Sequence, residues 1–387
     1  MPMPTSFTGV PPRLVALRVT LLSAVLFGML TSMKLWLTAR SFPLLPMGGS
    51  FPVLPPPLDK LFFGALVLAL LASPWCYRPA IIFFLAGGLF LYLGDQNRGQ
   101  PWFYLYWVLL LLTLWPDATA LATCRVVVSA VYVWAGIQKC NAGFYDGVVP
   151  YLMEPIARWF WPSGVTAAKW LINATPVVEI FIGIGLWIPE VRRTAVWTTV
   201  AVHAAALLLL GPLGHKHNLV VWPWNLAMIA LVIGLFPPVH LGATLASVRR
   251  SAPAMVVTAL VCLLPALSYL NWWDSYFSFA LYSGNTAQAD LLLSAPMAQR
   301  MPERLQPFVH PVHPDVIAAN PGLRGLFVFD AQTWAQTELG VPPLPEPRGF
   351  KSVGRSVARF AQDTNDMQLL IGPRRGALQV LRATDLR

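Results

Sequence analysis

Apolar residues fill this chain in long runs broken by short polar stretches, and most runs are hydrophobic all round rather than along one stripe. That pattern belongs to helices buried in a large core or in a bilayer. Nine such segments lie at roughly 14–39, 61–77, 79–94, 101–117, 118–140, 170–189, 194–214, 218–246 and 253–273. Several fall short of the roughly 20 residues that cross a bilayer. Only Arg78-Pro79 parts the second from the third, which predicts a tight hairpin or a re-entrant segment. The uncharged run 126–138 has 13 residues, about 20 Å of helix. The fifth helix must therefore begin near Ala118, taking Arg125 inside, or stop short of the far leaflet.

Two long loops interrupt the pattern. Arg40–Asp59 contains Pro55-Pro56-Pro57 and cannot be helical throughout. Asn141–Lys169, ending in Phe160-Trp161-Pro162-Ser163-Gly164, reads as an amphipathic cover lying in the interface. Beyond Trp273 hydrophobicity falls. Strand-like runs follow at Leu326–Phe329, Leu369–Ile371 and Leu378–Leu381, with a Pro-rich connector at Val341–Arg348 and a short basic amphipathic helix at Phe350–Arg359. The expected fold is an all-α polytopic membrane bundle of about 8–9 transmembrane helices over residues 1–282. A small water-facing α/β or β-rich appendage is expected over residues 283–387. No internal repeat is visible.

Composition supports a membrane protein. The chain is 56% hydrophobic and only 11% charged, with a mean hydropathy of +0.58, where soluble proteins carry about 25% charge. Its 16 tryptophans suit interfacial belts. The net charge of +10 is not a nucleic-acid signature. Residues 1–282 hold 16 Lys/Arg against 8 Asp/Glu, scattered between the apolar runs, and the remainder hold 11 against 9. Basic loops facing an anionic leaflet explain that excess. The placement of Arg and Lys favours an N-terminus inside and, with nine spans, a C-terminal domain outside. No cleavable signal peptide is expected. Cys76, Cys124, Cys140 and Cys262 lie far apart, which disfavours a thiol relay or a cysteine metal site.

Several polar residues stand out against this background. Lys139 closes the fifth apolar run and shares a helix face with Tyr132, Ala135 and Gly136. The small residues there permit close helix approach. A terminal lysine can simply snorkel and meet the helix dipole, or it can serve as a base if desolvation strips its proton. Glu179 is the deepest acid and can pair with Lys139, with Lys34 or with a histidine. A tight carboxylate partner would keep Lys139 charged. His215-Lys216-His217-Asn218 offers a relay or ligand contact at His215 and Asn218, with His203 on the preceding helix. His-x-His is a weak metal signal, and no metal is expected. Asp95–Tyr106 is a polar, aromatic stretch between two apolar runs.

Together these stretches resemble the vitamin K-dependent gamma-carboxylase family and its bacterial relatives, the horizontally transferred transmembrane (HTTM) group. The likeness runs from about Asp95 to Asn285. Ala135-Gly136-Ile137-Gln138-Lys139 is similar to that family's A-G-V-K-K, whose second lysine is the catalytic base. Asp95 and Tyr104-Leu105-Tyr106 match its D-x₈-Y-L-Y, His215 and Asn218 match its H-x-x-N, and Tyr282 falls in the last shared segment. Trp102 stands where the carboxylases have a carbanion-stabilising histidine, and Gln138 replaces the first lysine of the pair. The resemblance implies the membrane fold, a hydroquinone (vitamin K-like) ligand, and Lys139 as the base. Asp95, Trp102, Tyr132, Gln138, Glu179, His215 and Asn218 would then position the ligand or relay protons. Such an enzyme would be a carboxylase-like lyase or a quinol-linked oxidoreductase. The alternative is a non-catalytic scaffold of the DoxX-like kind, whose C-terminal domain binds a protein partner.

Overall fold

Proline opens many of the helices. It sits in the first turn of α1 (Pro12–Thr31), α5 (Pro101–Leu112), α9 (Thr175–Gly185) and α13 (Ala252–Leu263), where its missing N–H costs nothing. A computed structural model describes residues 9–159, 162–215 and 219–386. After α1 come α2 (Met33–Trp36), α3 (Leu58–Ala72) and α4 (Tyr77–Gly94). The next is α6 (Asp117–Gln138), the longest, which lies at the centre and packs against α1, α5, α9, α11 (Val221–Leu235), α12 (Leu241–Val248) and α13. α7 (Val149–Trp159) and α8 (Pro162–Asn173) pack together as the cover, and α10 (Arg192–Leu210) lies against α9 and α11.

Five helices among the described residues are long and apolar enough to cross a membrane: α1, α4, α6, α10 and the α13 segment extended to Leu270. A sixth arises if α8 and α9, bent by 51° at their junction, form one span. The expected eight or nine shrinks for a physical reason. α5 has 12 residues and buries nine of them, so its hydrophobicity serves the bundle interior. α11 has 15 residues and stops at Phe236, ahead of Pro237-Pro238. Large apolar side chains at Phe27, Leu68, Leu171, Val177 and Leu263 are exposed, as lipid contact would require.

Other sequence expectations meet mixed outcomes. The hairpin between α3 and α4 is present, but its turn is Ser73–Cys76, and Arg78-Pro79 falls in the first turn of α4, where proline is tolerated. α6 does begin early and takes Arg125 inside, where Nε donates to the Leu235 carbonyl at 2.6 Å. The cover over Asn141–Lys169 is helical, and the expectation at Phe160-Trp161 lies outside the described residues.

The C-terminal region forms an antiparallel sheet in the order β2-β3-β1-β4-β5, comprising β1 (Gln288–Leu293), β2 (Val309–Pro311), β3 (Phe327–Phe329), β4 (Met367–Gly372) and β5 (Gln379–Arg382). The central β1 pairs Leu292 with Val328 and Leu291 with Leu369. The helices here are α14 (Ala295–Arg300), α15 (Pro314–Ala319), α16 (Ala331–Leu339), α17 (Pro347–Ala358) and α18 (Ala383–Leu386). β3, β4 and β5 fall where the sequence predicts them; β1 and β2 carry too little alternation to be read in advance.

This region is not a loosely attached appendage. One continuous apolar cluster runs from Leu14 and Trp36 to Trp334, Leu293 and Met367. Trp334 packs at a tilt against Phe42 with centroids 4.8 Å apart and donates to the Ser41 hydroxyl at 3.1 Å. Arg348 binds Asp274 through both terminal nitrogens, and Glu346 accepts from the Ser275 amide and hydroxyl, each at 2.7 Å.

Candidate functional site

Glycine brings α6 and α9 into backbone contact. A Cβ at Gly136 would lie 2.5 Å from the Pro176 carbonyl oxygen, and one at Gly183 would lie 2.8 Å from that of Ser129. The Ser129 hydroxyl donates across the same seam to Gly183 at 2.6 Å. That closeness sets Lys139, the residue capping α6, against Glu179, in the second turn of α9. Their charged atoms are 2.7 Å apart, with side chains 8% and 12% exposed. Lys139 also folds back on the Ala135 carbonyl at 3.3 Å, the contact a helix-terminal lysine favours. Of the partners open to Lys139, Glu179 is therefore the one it meets.

The pair faces a cavity of about 570 Å³ enclosed mainly by α6, α9, α10 and α11. On the same wall lies a chain of three polar side chains. The Tyr132 hydroxyl is 2.7 Å from His203 Nε2, and His203 Nδ1 is 2.7 Å from Asn225 Oδ1. Asn225 Nδ2 donates to the Val221 carbonyl at 2.7 Å, which orients the amide so that its oxygen faces the imidazole. Nδ1 therefore donates to Asn225, and Nε2 shares the second hydrogen bond with the Tyr132 hydroxyl.

Trp102 completes the polar set. It lines the cavity, is 5% exposed, and its Nε1 has no hydrogen-bond partner among the described residues. The benzo edge of its indole packs against Gly28, so the edge bearing Nε1 is turned away from α1. Tyr106, whose ring packs at a tilt against Trp102 and Trp224, has a hydroxyl in the same state. Of the two, Trp102 lines the cavity, and an unpaired buried donor there is what a bound acceptor would satisfy.

Five residues singled out in the sequence thus meet at one cavity: Trp102, Tyr132, Lys139, Glu179 and Tyr282. Asp95 does not. It is fully buried in a structural knot, bound to Arg40 and accepting from the Leu45 amide at 3.1 Å and the Asn97 side chain at 2.9 Å. Gln138 points to another seam, donating to Ser268 at 2.9 Å and accepting from Asn285. His215 stands outside the cavity wall, stacked on Tyr151 at 3.8 Å and bonded to its carbonyl at 2.7 Å. Asn218 lies outside the described residues. His203 and Asn225 are the members that sequence reasoning left without a role. Their signal was available: His203 is the one histidine of six set deep in an apolar run, and polar groups in such runs are costly unless they act.

No protein-family model, curated protein or solved structure matches this chain.

Proposed function

We propose that this is an integral membrane protein of the gamma-carboxylase and HTTM type whose helix bundle binds a lipophilic, quinol-like molecule. The observation that carries the reading is the convergence of an ion pair, a Tyr–His–Asn chain and an unpaired indole N–H on one largely apolar cavity. Its size falls within the roughly 300–1,000 Å³ usual for small-molecule sites. Apolar walls suit an isoprenoid or aromatic body, and the polar groups suit ring oxygens.

The ion pair supports a reading in which Glu179, rather than Lys139, accepts the proton. While the salt bridge holds, Lys139 has no lone pair to offer, and Glu179 is the acceptor. Glu179 takes the proton of a bound hydroxyl, Lys139 stabilises the negative charge left on oxygen, and the Tyr132–His203–Asn225 chain holds the ligand's orientation. Trp102 Nε1 donates to a second ligand oxygen. The scaffold alternative has less support, because the C-terminal region spends its apolar face on the bundle and its Pro342 forms part of the cavity wall.

The test is hydroquinone binding to protein in neutral-lipid nanodiscs, read by quenching of tryptophan fluorescence and by mass spectrometry of co-purified isoprenoids. Wild type should bind saturably. Glu179→Gln and Lys139→Ala should each weaken binding by about tenfold or more, as expected for a lost charge-assisted contact. Unchanged affinity in both variants would sink the assignment.

A further inference from the structure

A second concave site lies apart from the cavity and shares no residue with it. It is a groove of about 680 Å³ between α17 and the loop that follows α2. One wall is a single stripe of α17, Arg348, Ser352, Arg355, Ser356 and Arg359, at helical spacing. The opposite stripe of α17, including Val353 and Val357, is buried, and Gly354 abuts Leu369. The facing wall is the 38–49 loop, with Arg40 and Gln96 also lining the groove.

Charge in this groove is one-sided. Four arginines, three serines and a threonine line it, and no Asp or Glu does. Arg40 is neutralised by Asp95 and Arg348 by Asp274, both carboxylates standing behind the wall. Arg355 and Arg359, one turn apart and exposed, make no hydrogen bond or ion pair among the described residues. A solvated cationic helix face would look out on water. Here the face is opposed by a second wall, and a concave, low-dielectric setting concentrates positive potential. Guanidinium forks beside hydroxyl donors match the oxygens of a phosphate group.

We propose that this groove binds a phosphate-bearing anion, held by Arg355 and Arg359 with the Ser356 hydroxyl, while the Ser352 hydroxyl donates to the Leu44 carbonyl. The volume admits more than a bare ion, so the phosphate belongs to a soluble phosphorylated molecule or to a lipid headgroup.

Full-length protein distinguishes the two sources. In nanodiscs of phosphatidylcholine alone, inorganic pyrophosphate is titrated by calorimetry. In nanodiscs of phosphatidylcholine and labelled phosphatidylglycerol in equal parts, lipid capture is read by energy transfer from tryptophan. Saturable binding in the first arm marks a soluble ligand, and binding in the second alone marks a headgroup. In the binding arm, Arg355→Gln with Arg359→Gln should weaken affinity by about tenfold or more, and raised salt should weaken it further. A control that removes the same charge elsewhere, Arg304→Gln with Arg324→Gln, should bind as wild type does. No saturable binding in either arm, or equal losses in the two double variants, overturns the proposal.

Discussion

Removing one member of the Lys139–Glu179 pair strands the other as a lone charge in an apolar cavity, whereas removing both leaves ordinary apolar contact. Lys139→Met and Glu179→Leu should each therefore lower stability by about 3–5 kcal/mol, and the double replacement should recover most of that loss. Chemical unfolding in detergent measures it. Simple additivity of the two losses would show that the pair is not coupled. The double variant should fold yet fail to bind hydroquinone, separating the site's role from the fold's. Lys139 was legible as an anomalous charge at the end of an apolar run, and Glu179 as a candidate partner. Which partner Lys139 takes was not legible, because Lys34 and the histidines were equally near in principle. Lys34 lies instead 3.9 Å from Glu338, and His203 serves Tyr132.

Between elements, the decisive contact is the glycine seam of α6 and α9. A methyl at Gly136 meets a backbone oxygen, which cannot swing aside as a side-chain terminus can. Gly136→Ala should cost about 1–3 kcal/mol and weaken hydroquinone binding by moving Lys139 away from Glu179. Gly234→Ala on α11, where the added carbon meets nothing within 4 Å, should be neutral or slightly stabilising. Thermal melts of the two variants compare them directly. The small-residue face of α6 could be read from spacing, though the helix that fills it could not. Element lengths were misjudged where apolar character had two sources. α5 is apolar because it sits inside the bundle, and no local pattern tells that from apolarity facing lipid.

At the level of the whole molecule, the C-terminal region is held to itself by a polar clamp as well as to the bundle by its core. Asp366 accepts from the Gln362 amide at 2.8 Å, the Asp363 amide at 3.1 Å, the Ser294 hydroxyl at 3.0 Å and Arg300 at 2.6 Å. Burial pushes its carboxyl up, but those donors and the Arg300 charge outweigh burial and hold it below the ordinary aspartate value of 3.8. A depressed folded value means the clamp's contribution is complete above the unfolded value and is lost as pH falls through the folded one. Amide exchange of β1 and β4 should therefore quicken below about pH 3.8. Asp366→Asn should exchange faster at neutral pH and lack that acid component. Unaltered acid dependence in the variant would assign the effect to another carboxylate.

The sequence by itself determined the broad class of this protein: apolar helices of membrane-crossing length, a β-containing C-terminal region, and a few polar residues too costly to be idle. Those properties are local, since hydropathy, proline placement and helical period are written within about 20 residues. Only the tertiary structure decided that Lys139 meets Glu179, that Tyr132 meets His203, and that Asp95 and Gln138 brace the fold away from the cavity. It also decided that Arg355 and Arg359 look across at a loop some 300 residues earlier in the chain. Each of these depends on how helices rotate and approach, and that is set by close packing among segments distant in sequence.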